Sequence, residues 1–253
     1  MSVYEMLLME GREQTFCGIT IGIVTDINDP DKKNRVKVRL LNRTDSVQET
    51  DFIRVMTPAA GKEFGFFDLP EVGDEVLVGF IDGDFTDPYV LGSLWSTKSP
   101  APVTVADGKN EVRTLKSKTA HKLEFNDGED APGVSLISAK ESKVILDDKG
   151  QLITVSDKEG KNCLKIDIGG GTVTLEAKTK LVLKSGEGAS VASIEIDGSG
   201  GAITIQSSSG SIKIDGQQVD VAGKGTINVK SSGQLNLEGS GMANLKGGMV
   251  KIN

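Results

Sequence analysis

Aromatic residues disappear halfway along this chain. All eleven lie between Tyr4 and Phe125, so the second half has no Phe, Tyr or Trp with which to fill a wide hydrophobic core. Proline is nearly missing there too, since only Pro132 follows Pro102. A residue that cannot donate a backbone hydrogen bond is excluded where strand ladders run without interruption. Cysteine is limited to Cys17 and Cys163, which fall in different predicted domains, so a structural disulfide is not expected and both are read as reduced. The single histidine, His121, stands without a nearby Cys or second His and offers nothing on which to build a zinc site or a His-based triad. No stretch approaches the roughly 20 apolar residues that cross a bilayer as a helix. The start, Met1 to Glu10, lacks the basic lead-in and long apolar run of a signal peptide. The protein is therefore expected to be made in the cytoplasm without a signal peptide and to stay soluble.

What is present is a globular composition of 253 residues with net charge -7, from 29 basic and 36 acidic side chains. Glycine is skewed against the aromatics, with 10 of 31 before residue 126 and 21 after it. Two architectures share the chain. Between them lies Ser96-Thr97-Lys98-Ser99-Pro100-Ala101-Pro102, a polar stretch whose prolines interrupt any ladder. The expected division is an N-terminal docking segment at 1–16, a barrel at 17–97, a linker and neck at 98–133 and a repetitive shaft at 134–253.

In the first domain, apolar residues alternate in short runs: Ile19/Ile21/Ile23, Val36/Val38/Leu40, Ile53/Val55, Val76/Val78/Phe80 and Val90-Leu91. Period two predicts half-buried strands, about five of them. Turn residues separate them at Asn28-Asp29-Pro30-Asp31, Asn42-Arg43-Thr44-Asp45 and Asp82-Gly83-Asp84. Five strands in about 80 residues fit a small Greek-key barrel of the OB-fold type. Many such barrels bind single-stranded nucleic acid through a basic groove with stacking aromatics. Here the basic residues are interleaved with acids, and Glu71, Asp74, Glu75, Asp82, Asp84 and Asp87 would repel phosphate, so no nucleic acid is expected.

Several motifs of this domain occur together in a recognisable order. Arg35-Val36-Lys37-Val38-Arg39 is followed by Arg54-Val55-Met56-Thr57-Pro58-Ala59-Ala60-Gly61, then by the run from Leu69-Pro70-Glu71-Val72-Gly73 to Phe80, then by Gly83 to Trp95. Over residues 17–97 the chain resembles the barrel of phage baseplate protein V and of type VI secretion (VgrG-type) spike proteins. The motifs also make local sense, because Pro70 and Gly73 shape a tight connection before a strand.

The second domain is a run of apolar-x-apolar pairs broken by Gly, Ser, Asp and Lys. In order they are Val134/Leu136, Val144/Leu146, Ile153/Val155, Leu164/Ile166, Val173/Leu175, Leu181/Leu183, Ile194/Ile196, Ile203/Ile205, Ile212/Ile214, Val219/Val221, Ile227/Val229, Leu235/Leu237, Ala243/Leu245 and Val250/Ile252. Fourteen strands are predicted. From Ile203 the first members fall at 203, 212, 219, 227, 235, 243 and 250, steps near eight that suit one strand plus one corner. Such a strand presents a narrow apolar stripe and cannot enclose a core alone, whereas three chains wound together supply three faces of a prism. The expected fold is all-β, an OB-fold barrel followed by an intertwined triple-stranded β-helix in a homotrimer. Its trimer core would hold Ile203, Ile205, Ile212, Ile214, Val219, Val221, Ile227, Val229, Leu235 and Leu237. If each octad climbs about 4.8 Å, the needle is roughly 65 Å long.

The resemblance implies a central spike of a contractile injection system, driven through a target envelope by a contracting sheath and in transient contact with the target membrane. It implies inner tube and baseplate proteins as partners. Only about 16 residues precede the barrel, so a separate hub protein is expected, with Tyr4, Met6, Leu7 and Leu8 as the docking candidates. The metal-binding His-x-His tip of some phage spikes is missing, which points to a separate PAAR-like tip protein seated on Gly247, Gly248, Met249, Val250, Lys251, Ile252 and Asn253. No cofactor and no enzymatic activity are expected. The glycine pairs Gly198/Gly200, Gly223/Gly225 and Gly239/Gly241 never complete a G-x-G-x-x-G motif and read as corners. Acidic neighbours such as Asp147/Asp148 and Glu195/Asp197 read as solvated exterior. The alternative is a trimeric β-helical adhesin or receptor-binding fibre, which should carry a bulky terminal domain and usually a secretion signal.

Overall fold

The structure is a computed structural model that describes residues 18–41, 48–81, 86–105 and 107–252. The described residues are all-β and contain no α-helix. Tyr4, Met6, Leu7, Leu8, Cys17, the turn 42–45, the turn 82–84 and Asn253 lie outside them.

The first sheet takes β1 (Ile19–Asp26), β2 (Lys37–Leu40), β3 (Arg54–Val55), β6 (Glu75–Phe80) and β7 (Pro88–Leu94) in the order β2-β1-β6-β7-β3. Neighbours are antiparallel except β3 and β7, which are parallel. The segment before β3 also pairs with β2: Val36 and Ile53 exchange backbone hydrogen bonds, and the Thr50 N–H donates to the Val38 carbonyl. Residues 48–55 thus join both edges and curl the sheet towards closure, as an OB barrel requires. Register shifts after Val24 and after Leu77 mark bulges that increase the bend. A two-stranded hairpin, β4 (Ala60–Gly61) and β5 (Phe64–Gly65), lies beyond β3.

The core is made of small aliphatics: Val24, Val36, Val38, Leu40, Ile53, Val76, Val78 and Val90, with Ile27, Val55, Leu69 and Phe80 packed against it. The period-two strands are present, but on β1 the buried face is not the isoleucine face. Thr20, Gly22 and Val24 point inward, while Ile19 is exposed and Ile21 and Ile23 are half-buried. Register explains the choice, because Gly22 pairs with Leu40 on one side and Val76 on the other. A Cβ on Gly22 would stand 2.3 Å from Val38 Cγ1, so only the small-residue face fits inside the curl. The connection before β6 is a turn closed by the Asp74 N–H on the Glu71 carbonyl, with Gly73 at φ 96.

Residues 112–176 form a second sheet of seven consecutive antiparallel strands. They are β8 (Val112–Lys116), β9 (Lys122–Asn126), β10 (Gly133–Ile137), β11 (Lys143–Asp147), β12 (Leu152–Ser156), β13 (Cys163–Asp167) and β14 (Thr172–Glu176). The stretch read as linker and neck therefore holds two full strands of this sheet. The turns repeat two designs. At one end the Ser117 and Ser138 hydroxyls and the Asp157 carboxylate accept backbone N–H groups of their own turns, with Ala120, Glu141 and Gly160 in the left-handed region. At the other end Asp147 and Asp167 accept the N–H of Gly150 and Gly170, with Gln151 and Gly171 left-handed.

Residues 177–252 form a separate compact unit. Its sheet holds β15 (Lys180–Ser185), β16 (Ala192–Asp197) and β17 (Ala202–Ser207), again antiparallel neighbours. Eight of the fourteen predicted pairs therefore sit in strands, and they pair as hairpins within one chain instead of passing through corners. The six pairs from Ile212/Ile214 to Val250/Ile252 join no strand ladder within the chain. The last described residue in the left-handed region is Gly201, between β16 and β17, and the left-handed turns that close most of the hairpins above do not recur after it.

Candidate assembly surface

Cross-strand register turns the alternating pattern of 112–176 into two continuous apolar rails on one face. One rail runs Leu115, Leu123, Leu136, Val144, Val155, Leu164, Leu175, each directly opposite the next across the sheet. The other runs Phe125, Val134, Leu146, Ile153, Ile166, Val173. Between them, on the opposite face, stands the mixed row Thr114, Glu124, Ser135, Ile145, Thr154, Lys165, Thr174. At about 4.8 Å per strand the seven-member rail is about 29 Å long and the six-member rail about 24 Å, together two side chains wide. No described residue of either rail is buried; Leu136 is 55% exposed and Val173 68%. A dry apolar face of this size is unstable in water and marks a contact surface.

The same construction recurs in the second unit. Leu181, Ile196 and Ile203 form one short rail, and Leu183, Ile194 and Ile205 the other. The outer face carries a charge cluster, with Lys180 Nζ 2.7 Å from Glu195 and 3.5 Å from Asp197. Asp197 also accepts hydrogen bonds from the Ser199 hydroxyl and from the Gly200 and Ser199 N–H groups, which lower its pKa to about 2. Glu195 and Asp197 are thus engaged with one lysine and a turn. Of the predicted core residues, Ile203 and Ile205 lie on β17, whereas Ile212, Ile214, Val219, Val221, Ile227, Val229, Leu235 and Leu237 lie beyond it, all exposed. Gly247 to Ile252 are exposed as well, with Ile252 at 88%.

Three groups in the barrel and shaft have defined local roles. Asp29 is buried and accepts Arg35 Nε at 2.9 Å and Nη2 at 2.7 Å, plus the backbone N–H groups of Asp31, Lys33 and Arg35. The guanidinium chiefly, helped by these N–H groups, holds its carboxyl far below the ordinary range. His121 Nδ1 accepts the Ala139 N–H at 3.2 Å and so ties two neighbouring turns together. Cys163 is a free, half-buried thiol raised in pKa by burial and by Glu176. Among the described residues, no cluster of three or more His, Cys, Asp or Glu could hold a metal ion.

On the barrel exterior, Arg54 lies over the Tyr89 ring at 4.5 Å, and the Tyr89 hydroxyl links Arg54 to Asp87. Nearby, Met56, Phe64 and Phe67 are exposed around an open cleft of about 690 Å³ that includes Arg54, Phe66 and Leu69. Sequence reasoning missed this aromatic surface and the start of the rails at Leu115, Leu123 and Phe125. The second was legible in the alternation of Val112 to Lys116 and Lys122 to Asn126. The first is not, because exposed aromatics carry no period.

Comparison with known proteins follows the barrel. Residues 20–95 match the family described as the type VI secretion system/phage-baseplate injector OB domain. The chain resembles baseplate protein V and VgrG-type spike proteins. It is 30% identical over 80 residues to the actin cross-linking toxin VgrG1 of Vibrio cholerae serotype O1, covering 32% of this chain and 7% of that protein. It is 31% identical over 100 residues to the type VI secretion system spike protein VgrG3 of Vibrio cholerae serotype O1, covering 38% and 10%. For the spike protein VgrG1a of Pseudomonas aeruginosa the values are 29% over 102 residues, 38% and 16%. The matched stretch thus spans 7–16% of these VgrG relatives' own lengths. The family match lies in the barrel, so the rails are read on their own geometry.

Proposed function

We propose that this VgrG-like chain is a non-enzymatic spike subunit of a contractile injection system and works as a homotrimer. The observation that carries the reading is the pair of uncovered apolar rails on residues 112–176, repeated in short form on residues 180–207. Three copies set around one axis bury the rails against each other and present the polar faces outward. A narrow three-sided interior also accounts for the lack of aromatics after Phe125. Residues 112–176 and residues 180–207 would each contribute one sheet per chain, three copies making the three faces. Residues 208–252, which join no strand ladder within the chain, would wind from face to face as an intertwined β-helix.

The trimer would ride on a separate hub protein, with Tyr4, Met6, Leu7 and Leu8 as docking residues. It would carry a PAAR-like tip protein on Gly247 to Asn253, where Val250 and Ile252 keep the two-aliphatic rhythm and stand exposed. Inner tube and baseplate proteins complete its setting. Assembly takes place in the bacterial cytoplasm, and the particle then delivers the spike outward to the target membrane. Light scattering on the full chain is expected to give three times the 26.7 kDa of one chain. A stable folded monomer in dilute buffer overturns the reading.

A further inference from the structure

Between the paired aliphatics of the last six predicted strands stand Lys213, Asp220, Asn228, Asn236, Asn244 and Lys251. Asn228, Asn236 and Asn244 follow one another at steps of eight, and Asp220 precedes them by the same step. Nowhere else from Ile203 onward is the octad uniform; the flanking steps are seven or nine. Every described residue from 208 to 252 is exposed, and no left-handed turn reverses this segment. Within the chain, Asn236 Oδ1 accepts Gln234 Nε2 at 2.8 Å, and Asp220 Oδ2 accepts Gln218 Nε2 at 2.8 Å. Both exposed side chains are thus bonded to a residue two positions before them in their own segment. Their neighbours up and down the shaft must come from elsewhere.

We propose that Asn228, Asn236 and Asn244 form an amide ladder that crosses from chain to chain. The inference rests on the trimeric reading. If each octad carries a chain to the next face and up one strand spacing of about 4.8 Å, successive strands on one face belong to different copies. Asn228 of one copy then lies next to Asn236 of a second, and that next to Asn244 of the third. The strands run parallel and in register, the arrangement in which side-chain amides stack and bond along the axis. No single chain can build the ladder, because its own three asparagines lie on three different faces. Asp220 starts each ladder as an acceptor, next to the level of Lys213. The ladder fixes the winding register, since a slip of one residue would turn the amides into the apolar interior.

The test replaces Asn228, Asn236 and Asn244 with Asp in the full chain. The control carries the same added charge at corners, as Ser209→Asp, Ser232→Asp and Ser240→Asp. Heat dissociation of the trimer is followed by light scattering at pH 7 and pH 3. At pH 7 the ladder variant is expected to dissociate on the order of 10 °C below wild type, with the control within about 3 °C. At pH 3 the gap should close, because protonated carboxyls regain a donor. If the triple variant forms no trimer, Asn236→Asp alone should show a smaller shift with the same acid recovery. A ladder variant that behaves like the control, or a loss that acid does not restore, overturns the ladder while leaving a trimeric wild type standing. A monomeric wild type overturns both.

Discussion

Residues 18–94 and residues 112–207 are both short antiparallel strands with apolar side chains at alternate positions, yet they solve burial in opposite ways. The barrel curls, and its eight buried aliphatics between Val24 and Val90 form one core with Ile27, Val55, Leu69 and Phe80 packed against it. The shaft sheets stay open, and Leu136, Val173 and Ile203 remain more than half exposed. The difference lies in what bends a sheet. The barrel has bulges after Val24 and Leu77 and a glycine where two strands face each other inside the curl, Gly22 against Val38. The ladders of the shaft run without a register break from β8 to β14. A sheet that closes on itself covers its own apolar face, whereas an open two-rail sheet leaves that face to a partner surface.

Three experiments sharpen or break that contrast. The largest effect is expected from Ile153→Asp together with Leu164→Asp, which puts one charge on each rail. Assembly should be lost altogether by light scattering, while the barrel keeps its own cooperative melting transition. If the barrel unfolds with the shaft, the two regions are not independent. An intermediate effect is expected in the barrel from Gly22→Val, whose added carbons collide with Val38 and with the Arg39 carbonyl. Overpacking of this kind costs roughly 1–3 kcal/mol. It should lower the barrel transition and leave the oligomeric state unchanged.

The smallest effect concerns pH. Asp29 has a folded pKa well below its unfolded value, so its stabilisation is present above about pH 4 and is lost as pH falls from there towards the folded value. Wild-type barrel melting should therefore decline between about pH 4 and pH 2, and Asp29→Asn should flatten that slope while lowering stability at pH 7. A variant whose acid slope matches wild type would show that the buried ion pair with Arg35 is not its source.

Much of this was legible beforehand because period-two alternation is local. The five barrel runs, the turn at Glu71 to Asp74 and eight of the fourteen shaft pairs all lie where alternation and turn chemistry place them. Ile19, Ile21 and Ile23 show where such reading stops: they alternate correctly but face outward, because the register with Leu40 and Val76 needs small residues inside. The strands β8 and β9 carry the same alternation at Val112 to Lys116 and Lys122 to Asn126, but their place in the rails is set by pairing with each other and with β10.

The amino-acid order alone determined where side chains alternate, where the architecture changes near residue 100, and that the second half offers only narrow aliphatic stripes. These are properties of neighbouring residues and survive in any conformation. The tertiary structure decided which side of β1 is inside, that the strands within 112–176 and within 180–207 pair as successive antiparallel neighbours, and that no strand ladder forms after β17. Those choices depend on which strand lies alongside, and a strand's neighbour is set by closure and register across long stretches of chain.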